Sequence, residues 1–152
     1  MRQPAPELVL IASLEASLGE PISIEETVAG TRRLIPILGG EVTGRLRGKV
    51  LPGGADCQTI RRDGVIDLQA RYMIELEDGA RVFVENSGLR HGPPEAVYFC
   101  TSARFECAVG EHDWLTKHIF VGQGIRHPDR VEVRFFQVVQ PRGVSSQRGA
   151  SR

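Results

Sequence analysis

One carboxylate, one guanidinium and two carboxamides stand out among the polar residues of this chain: Asp56, Arg90, Gln58 and Asn86. Asp56 and Gln58 lie two apart, as do Asn86, Gly88 and Arg90, so on extended strands each pair shares a face. An Asp in a partly apolar setting can act as general acid or base. An Arg with an amide beside it can hold an oxyanion or a carboxylate. Asp56 and Arg90 are therefore the candidate catalytic residues, with Gln58 and Asn86 as substrate-binding partners.

These residues sit in a chain that reads as an antiparallel meander. Gly39 to Gln58, GGEVTGRLRGKVLPGGADCQ, is followed by Asp-Gly turns at Asp63-Gly64 and Asp78-Gly79. No segment keeps a helical period of apolar residues. The predicted strands are Glu7–Ala16, Ile22–Ala29, Arg32–Leu38, Glu41–Leu51, Asp56–Arg61, Val65–Leu76, Arg81–Leu89, Val97–Val109, Trp114–Val121 and Val131–Val139. His91 to Glu95 reads as a loop, because Pro93 and Pro94 cannot donate to a ladder. The expected fold is all-β, a single antiparallel barrel of about eight to ten strands over residues 1–140 with little helix. Closure hides the sheet edges, and eight strands leave an interior wide enough for side chains or one small ligand. A two-sheet sandwich is the alternative. Residues 141–152, polar and rich in Gly and Ser, are expected to form a flexible tail.

Hairpin parity decides which side chains share a face. A two-residue loop at each Asp-Gly would place Arg81 and Glu85 beside Tyr72 and Ile74. A three-residue loop with Gly in the left-handed conformation pairs Leu76 with Ala80 instead. It gathers Ile66, Leu68, Ala70, Tyr72, Ile74 and Leu76 on one face and sends Asp67, Gln69, Arg71, Glu75 and Glu85 to the other. Apolar burial at roughly 25 cal/mol per Å² favours that segregation. The same turn sets Asp56 opposite Ala70 and Gln58 opposite Leu68, so Asp56, Gln58, Tyr72, Asn86 and Arg90 converge on the apolar face. Such a mixture of apolar wall and few polar groups suits a small-molecule pocket. The bland alternative is that Asp56 and Arg90 satisfy each other at the barrel mouth. A close pair would keep Asp56 ionised, as base or anchor. An Arg90 pointing outward would leave it to protonate and act as an acid.

Other chemistries find less support. The glycine-rich stretch lacks the Gly-Lys-Ser/Thr of a phosphate loop and the spacing of a dinucleotide fingerprint. His91, His112, His118 and His127 show no zinc spacing, so no metal is expected. His118 is expected to face the interior with Trp114, Thr116 and Phe120 on one strand face, which makes it a candidate ligand contact. No serine sits in a nucleophile elbow. Cys57 points away from Asp56 by alternation, and Glu106 reads as a solvated carboxylate. Cys57, Cys100 and Cys107 form no C-x-x-C pair and are expected as free thiols.

At 152 residues, the chain suffices for one domain that buries roughly 70% of its unfolded surface. Lys plus Arg equals Asp plus Glu, 19 each, so no nucleic-acid footprint is present. The apolar run Leu8–Leu14, flanked by Glu7 and Glu15, is too short to span a bilayer and lacks a cleavage site. A cytoplasmic location away from membranes is expected, and a homo-oligomer is compatible with such a barrel.

Six blocks carry a family resemblance: GTRRLIPILGG (Gly30–Gly40), VLPGGADCQ (Val50–Gln58), DGVIDLQARY (Asp63–Tyr72), NSGLRHG (Asn86–Gly92), YFCTSARFE (Tyr98–Glu106) and WLTKHIFVGQG (Trp114–Gly124). In this order they resemble the domain of unknown function 3237 family, also known as UPF0311, of mainly bacterial and fungal proteins. The resemblance spans about Leu8 to Val139 and implies a barrel akin to allene oxide cyclase and dirigent barrels. It maps the family's polar positions onto Asp56, Gln58, Tyr72, Asn86, Arg90 and Trp114. Cys57 stands where the family usually has Trp, and Thr116 where it usually has Asn. The second departure changes a polar contact expected in the cavity. The resulting expectation is a small-molecule-binding barrel, as a cofactor-independent isomerase, cyclase or lyase acting on a small apolar or aromatic carbonyl or enol compound. In that picture Tyr72 donates a hydrogen bond and Trp114 packs on the substrate. A non-catalytic ligand carrier and an interaction module with a filled barrel are the alternatives.

Overall fold

The computed structural model describes residues 2–142, so the expected tail lies almost entirely outside the described residues. Ten strands alternate along the chain: β1 (Glu7–Leu18), β2 (Ile22–Thr27), β3 (Gly30–Gly44), β4 (Gly48–Val50), β5 (Gly54–Ile60), β6 (Ile66–Leu76), β7 (Arg81–His91), β8 (Tyr98–Cys107), β9 (Phe120–Arg126) and β10 (Arg130–Val139). All pairings are antiparallel. An eight-strand ring closes in the order β1, β10, β9, β8, β7, β6, β5, β3 and back to β1. The short β4 takes over from β5 between β3 and β6, and β2 continues the line of β1 along β3. Closure leaves β2 as the one strand of the path with a free side, consistent with the cost of open edges. Among the described residues, no helix is long and apolar enough to cross a membrane.

Both Asp-Gly hairpins adopt the bulged three-residue turn. Leu76 and Ala80 are bonded across the second, and Gly64 and Gly79 have φ of 87° and 88°. The Asp side chains reinforce the turns: Asp63 Oδ1 accepts from Val65 N–H at 3.1 Å and Asp78 Oδ1 from Ala80 N–H at 2.9 Å. The resulting register places Asp56 opposite Ala70, Gln58 opposite Leu68 and Asn86 opposite Ala70. Tyr72, Ile74, Val82 and Val84 are buried, whereas Arg71 and Arg81 are exposed on the outer face.

Two elements differ from the sequence expectation. The predicted strand Trp114–Val121 is instead a 3-10 turn over Asp113–Thr116, and β9 starts only at Phe120. Local side-chain bonds explain this. Thr116 Oγ1 donates to the Asp113 carbonyl at 2.7 Å and Asp113 Oδ2 accepts from Gly110 N–H at 3.2 Å, which competes with a ladder. The predicted break before Glu41 is also absent. β3 runs through Gly39 and Gly40 because β1 packs so closely that a Cβ on Gly40 would lie 1.9 Å from the Glu15 carbonyl oxygen. The chain leaves the strand later, where Arg45 and Leu46 N–H groups bond the Ile11 carbonyl and Leu46 turns inward.

The barrel interior divides in two. At the end formed by the β6–β7 hairpin and the β8–β9 connection, Phe105, Phe120 and Phe135 pack with Ile11, Val82 and Leu115 into an aliphatic-aromatic core. Toward the β5–β6, β7–β8 and β9–β10 turns, the interior is lined by the polar set.

Candidate functional site

The cavity at this second end is walled by Leu14, Ala16, Leu18, Ile37, Leu68, Val131 and Val133, with Asp56, Gln58, Tyr72, Asn86, Arg90 and Arg126 as its polar groups. About 40 Å³ is open to the centre of a water-sized sphere, room for a few waters.

A hydrogen-bonded chain orients the carboxylate. Arg33 Nε and Nη2 donate to Gln58 Oε1 at 3.0 and 2.6 Å, which turns the Gln58 amide nitrogen toward Asp56. Gln58 Nε2 then donates to Asp56 Oδ2 at 2.7 Å. Arg33 and Gln58 are cross-strand partners on β3 and β5, so register alone brings them together. Asp56 Oδ1 is buried and has no hydrogen-bond partner, as has Asn86 Oδ1 on a side chain only 4% exposed. Native interiors leave few such atoms, and each costs about 1–3 kcal/mol when nothing fills the gap. The third such atom among the described residues is Thr101 Oγ1, on neighbouring β8.

Arg90 does not close onto Asp56. Its guanidinium lies 5.8 Å from the Phe99 ring centroid, and Arg90, Arg33 and Arg126 act on the carboxylate through space. Burial pushes the Asp56 carboxyl above its ordinary range, while the Gln58 bond and then the three guanidinium charges pull it partly back. Tyr72, fully enclosed beneath, is pushed above the usual phenol range by burial and by the Asp56 charge, so it stays a neutral hydroxyl. Burial and the other two guanidinium charges lower Arg90, which the Asp56 charge opposes.

Glycines shape the walls. A Cβ on Gly54 would lie 2.5 Å from the Tyr72 Cβ, and one on Gly124 would lie 2.6 Å from the Phe99 ring. Both positions therefore give space to an aromatic neighbour on the next strand.

The structure brings together Asp56, Gln58, Tyr72, Asn86 and Arg90, and it separates Trp114 and His118 from them. Trp114 packs at the apolar end against Phe120, with Arg45 stacked 3.8 Å from its ring centroid. His118 is exposed, its Nδ1 bonded to the Trp114 carbonyl at 2.7 Å. Both were expected inside because Trp114–Val121 reads as one strand, and the 3-10 turn removes that face. Sequence reasoning missed Arg126 and Arg33. A signal for Arg126 was present: starting β9 at Phe120 makes Phe120, Gly122, Gly124 and Arg126 an alternating inward row.

Away from the cavity, Asp78, Glu111 and His112 bring donor atoms within 4.8 Å of one another at the outer surface of the apolar end. His112 Nε2 and Asp78 Oδ2 already satisfy each other at 2.6 Å.

The family model described as a protein of unknown function, DUF3237, matches residues 6–97 and 94–138. The chain belongs to the DUF3237 family. A UPF0311 protein of Bradyrhizobium diazoefficiens is 46% identical over 143 residues, covering 85% of this chain and 94% of that one. The crystal structure of a family member of unknown function from Rhodopseudomonas palustris is 42% identical, covers 90% of this chain and 99% of its own, and superposes with a TM-score of 0.86. An enzyme from Penicillium herquei shares the fold at 23% identity and a TM-score of 0.74, over 91% of this chain and 98% of that one. This DUF3237 member is thus a closed eight-strand barrel with β2 and β4 added.

Proposed function

We propose that this barrel binds a small carbonyl or enol compound in its polar-ended cavity and moves a proton on it through Asp56, as a cofactor-independent isomerase, cyclase or lyase. The observation that carries this reading is the unpartnered Asp56 Oδ1, buried in a largely apolar cavity while Gln58 holds the other oxygen. A carboxyl with one oxygen fixed and one free is placed to take a proton from carbon or oxygen and return it elsewhere. Its raised affinity for the proton brings it closer to neutrality, where acid–base catalysis works best. When Asp56 removes a proton alpha to a carbonyl, the C–H electrons pass to the oxygen as an enolate. The positive field of Arg90 and Arg126 stabilises that charge. Tyr72, held neutral, supplies a hydroxyl donor at the cavity floor.

The test is wash-out of alpha protons in D2O, followed by proton NMR, across a panel of small ketones, 2-oxo acids and 1,3-diketones. Wild type is expected to accelerate exchange for at least one class. Asp56→Asn is expected to lose about 100-fold or more of it while retaining binding. Binding without accelerated exchange in wild type would make the barrel a carrier and overturn the catalytic reading.

A further inference from the structure

The cavity carries more positive charge than its own carboxylate can balance. Arg90 and Arg126 both line it, and Arg33 stands behind Gln58; burial and mutual repulsion disfavour the charge on Arg90 and on Arg126. Asp56 is the one acidic group lining the cavity, and it meets Gln58 rather than a guanidinium. At the rim Arg126 bonds the His127 and Arg130 carbonyls and feels the Asp129 charge, whereas no carboxylate among the described residues pairs with Arg90. The whole chain is neutral, so this local excess is a property of the site. Half-buried cations of this kind call for an anion.

The second observation is the pair of buried acceptors, Asp56 Oδ1 and Asn86 Oδ1, which call for a hydrogen-bond donor. Resting on the reading of this cavity as a small-molecule site, we infer that its ligand is a small hydroxycarboxylate. Its carboxylate lies toward Arg90 and Arg126, and its alcohol or enol hydroxyl points to Asp56 and Asn86. The aliphatic walls from β1 and β10 then cover the carbon skeleton.

Three related probes separate the parts: lactate, lactamide, which keeps the hydroxyl and loses the charge, and propionate, which keeps the charge and loses the hydroxyl. Titrations of the ¹⁵N-labelled full chain, read at the backbone amides of β5, β7 and β9, detect millimolar binding. Lactate is expected to bind at least tenfold more tightly than lactamide and severalfold more tightly than propionate. Arg90→Gln is expected to remove the preference for lactate over lactamide, and Arg126→Gln to reduce it. Equal affinity for lactate and lactamide in wild type overturns the anionic ligand, and equal affinity for lactate and propionate overturns the hydroxyl. In those outcomes bound probes still support a small-molecule site. If no probe of either charge shifts the cavity resonances, this inference fails. If the neutral ketones of the exchange panel also fail to bind, the site reading falls with it.

Discussion

The two ends of this barrel are built from the same strands and obey opposite rules. At the apolar end Phe105 meets Phe120 and Phe135 edge-on at centroid distances of 4.9 and 5.5 Å, and Leu115, 1% exposed, plugs the opening from the 3-10 turn. At the other end the same β6, β7, β8 and β10 frame two unpartnered acceptors and an Arg90 guanidinium with which no carboxylate among the described residues pairs. The first half meets the usual conditions for stability, close packing and satisfied polar groups. The second half departs from them, as functional sites often do. The contrast teaches that a closed barrel can concentrate its packing at one end and leave the other poised for a ligand.

The largest effect should come from damage to the packed end. Phe120→Ala removes a fully buried ring and is expected to cost about 3–5 kcal/mol in urea unfolding, with the cavity-end chemistry changed only through the loss of folded protein. A cost under 1 kcal/mol would break the contrast. Next comes the wall between the halves. Gly54→Ala would force a Cβ to 2.5 Å from the Tyr72 Cβ, and overpacking of that kind costs about 1–3 kcal/mol, measurable by thermal melting.

The third substitution should run the other way. Asp56 binds its proton more tightly folded than unfolded, so its contribution is favourable in acid, below the unfolded value, and is lost as pH rises through the folded value. Asp56→Asn is therefore expected to gain about 1 kcal/mol near pH 8 and to lose that advantage on acidification. Paired melting curves across pH check this, and a mutant destabilised equally at every pH would contradict it. The smallest effect belongs to an exposed turn at the outer tip of the packed end. Gly79→Ala, at φ of 88° with open space around it, should cost about 1 kcal/mol from backbone strain alone.

Most of the barrel was legible because its information is local. Two Asp-Gly turns and strict alternation in β5, β6 and β7 sufficed to place Asp56, Gln58, Tyr72, Asn86 and Arg90 around one cavity. What escaped notice depended on contacts distant in sequence or on competing local bonds. Arg33 reaches the site through its pairing with Gln58, 25 residues away, which no pattern within β3 announces. Trp114 and His118 were misplaced because Asp113 and Thr116 bond their own backbone and curl the segment that apolar alternation had suggested was extended.

Asp56 is the residue on which the two halves differ most, and its carboxyl can be observed directly. Titration by carboxyl-carbon NMR in the wild-type chain should give a midpoint above the ordinary aspartate value of about 3.9, moving higher in Arg90→Gln as one stabilising charge is removed. A midpoint at or below the ordinary value, unmoved by Arg90→Gln, would show a solvated or ion-paired carboxylate and contradict the account of a poised, ligand-seeking end.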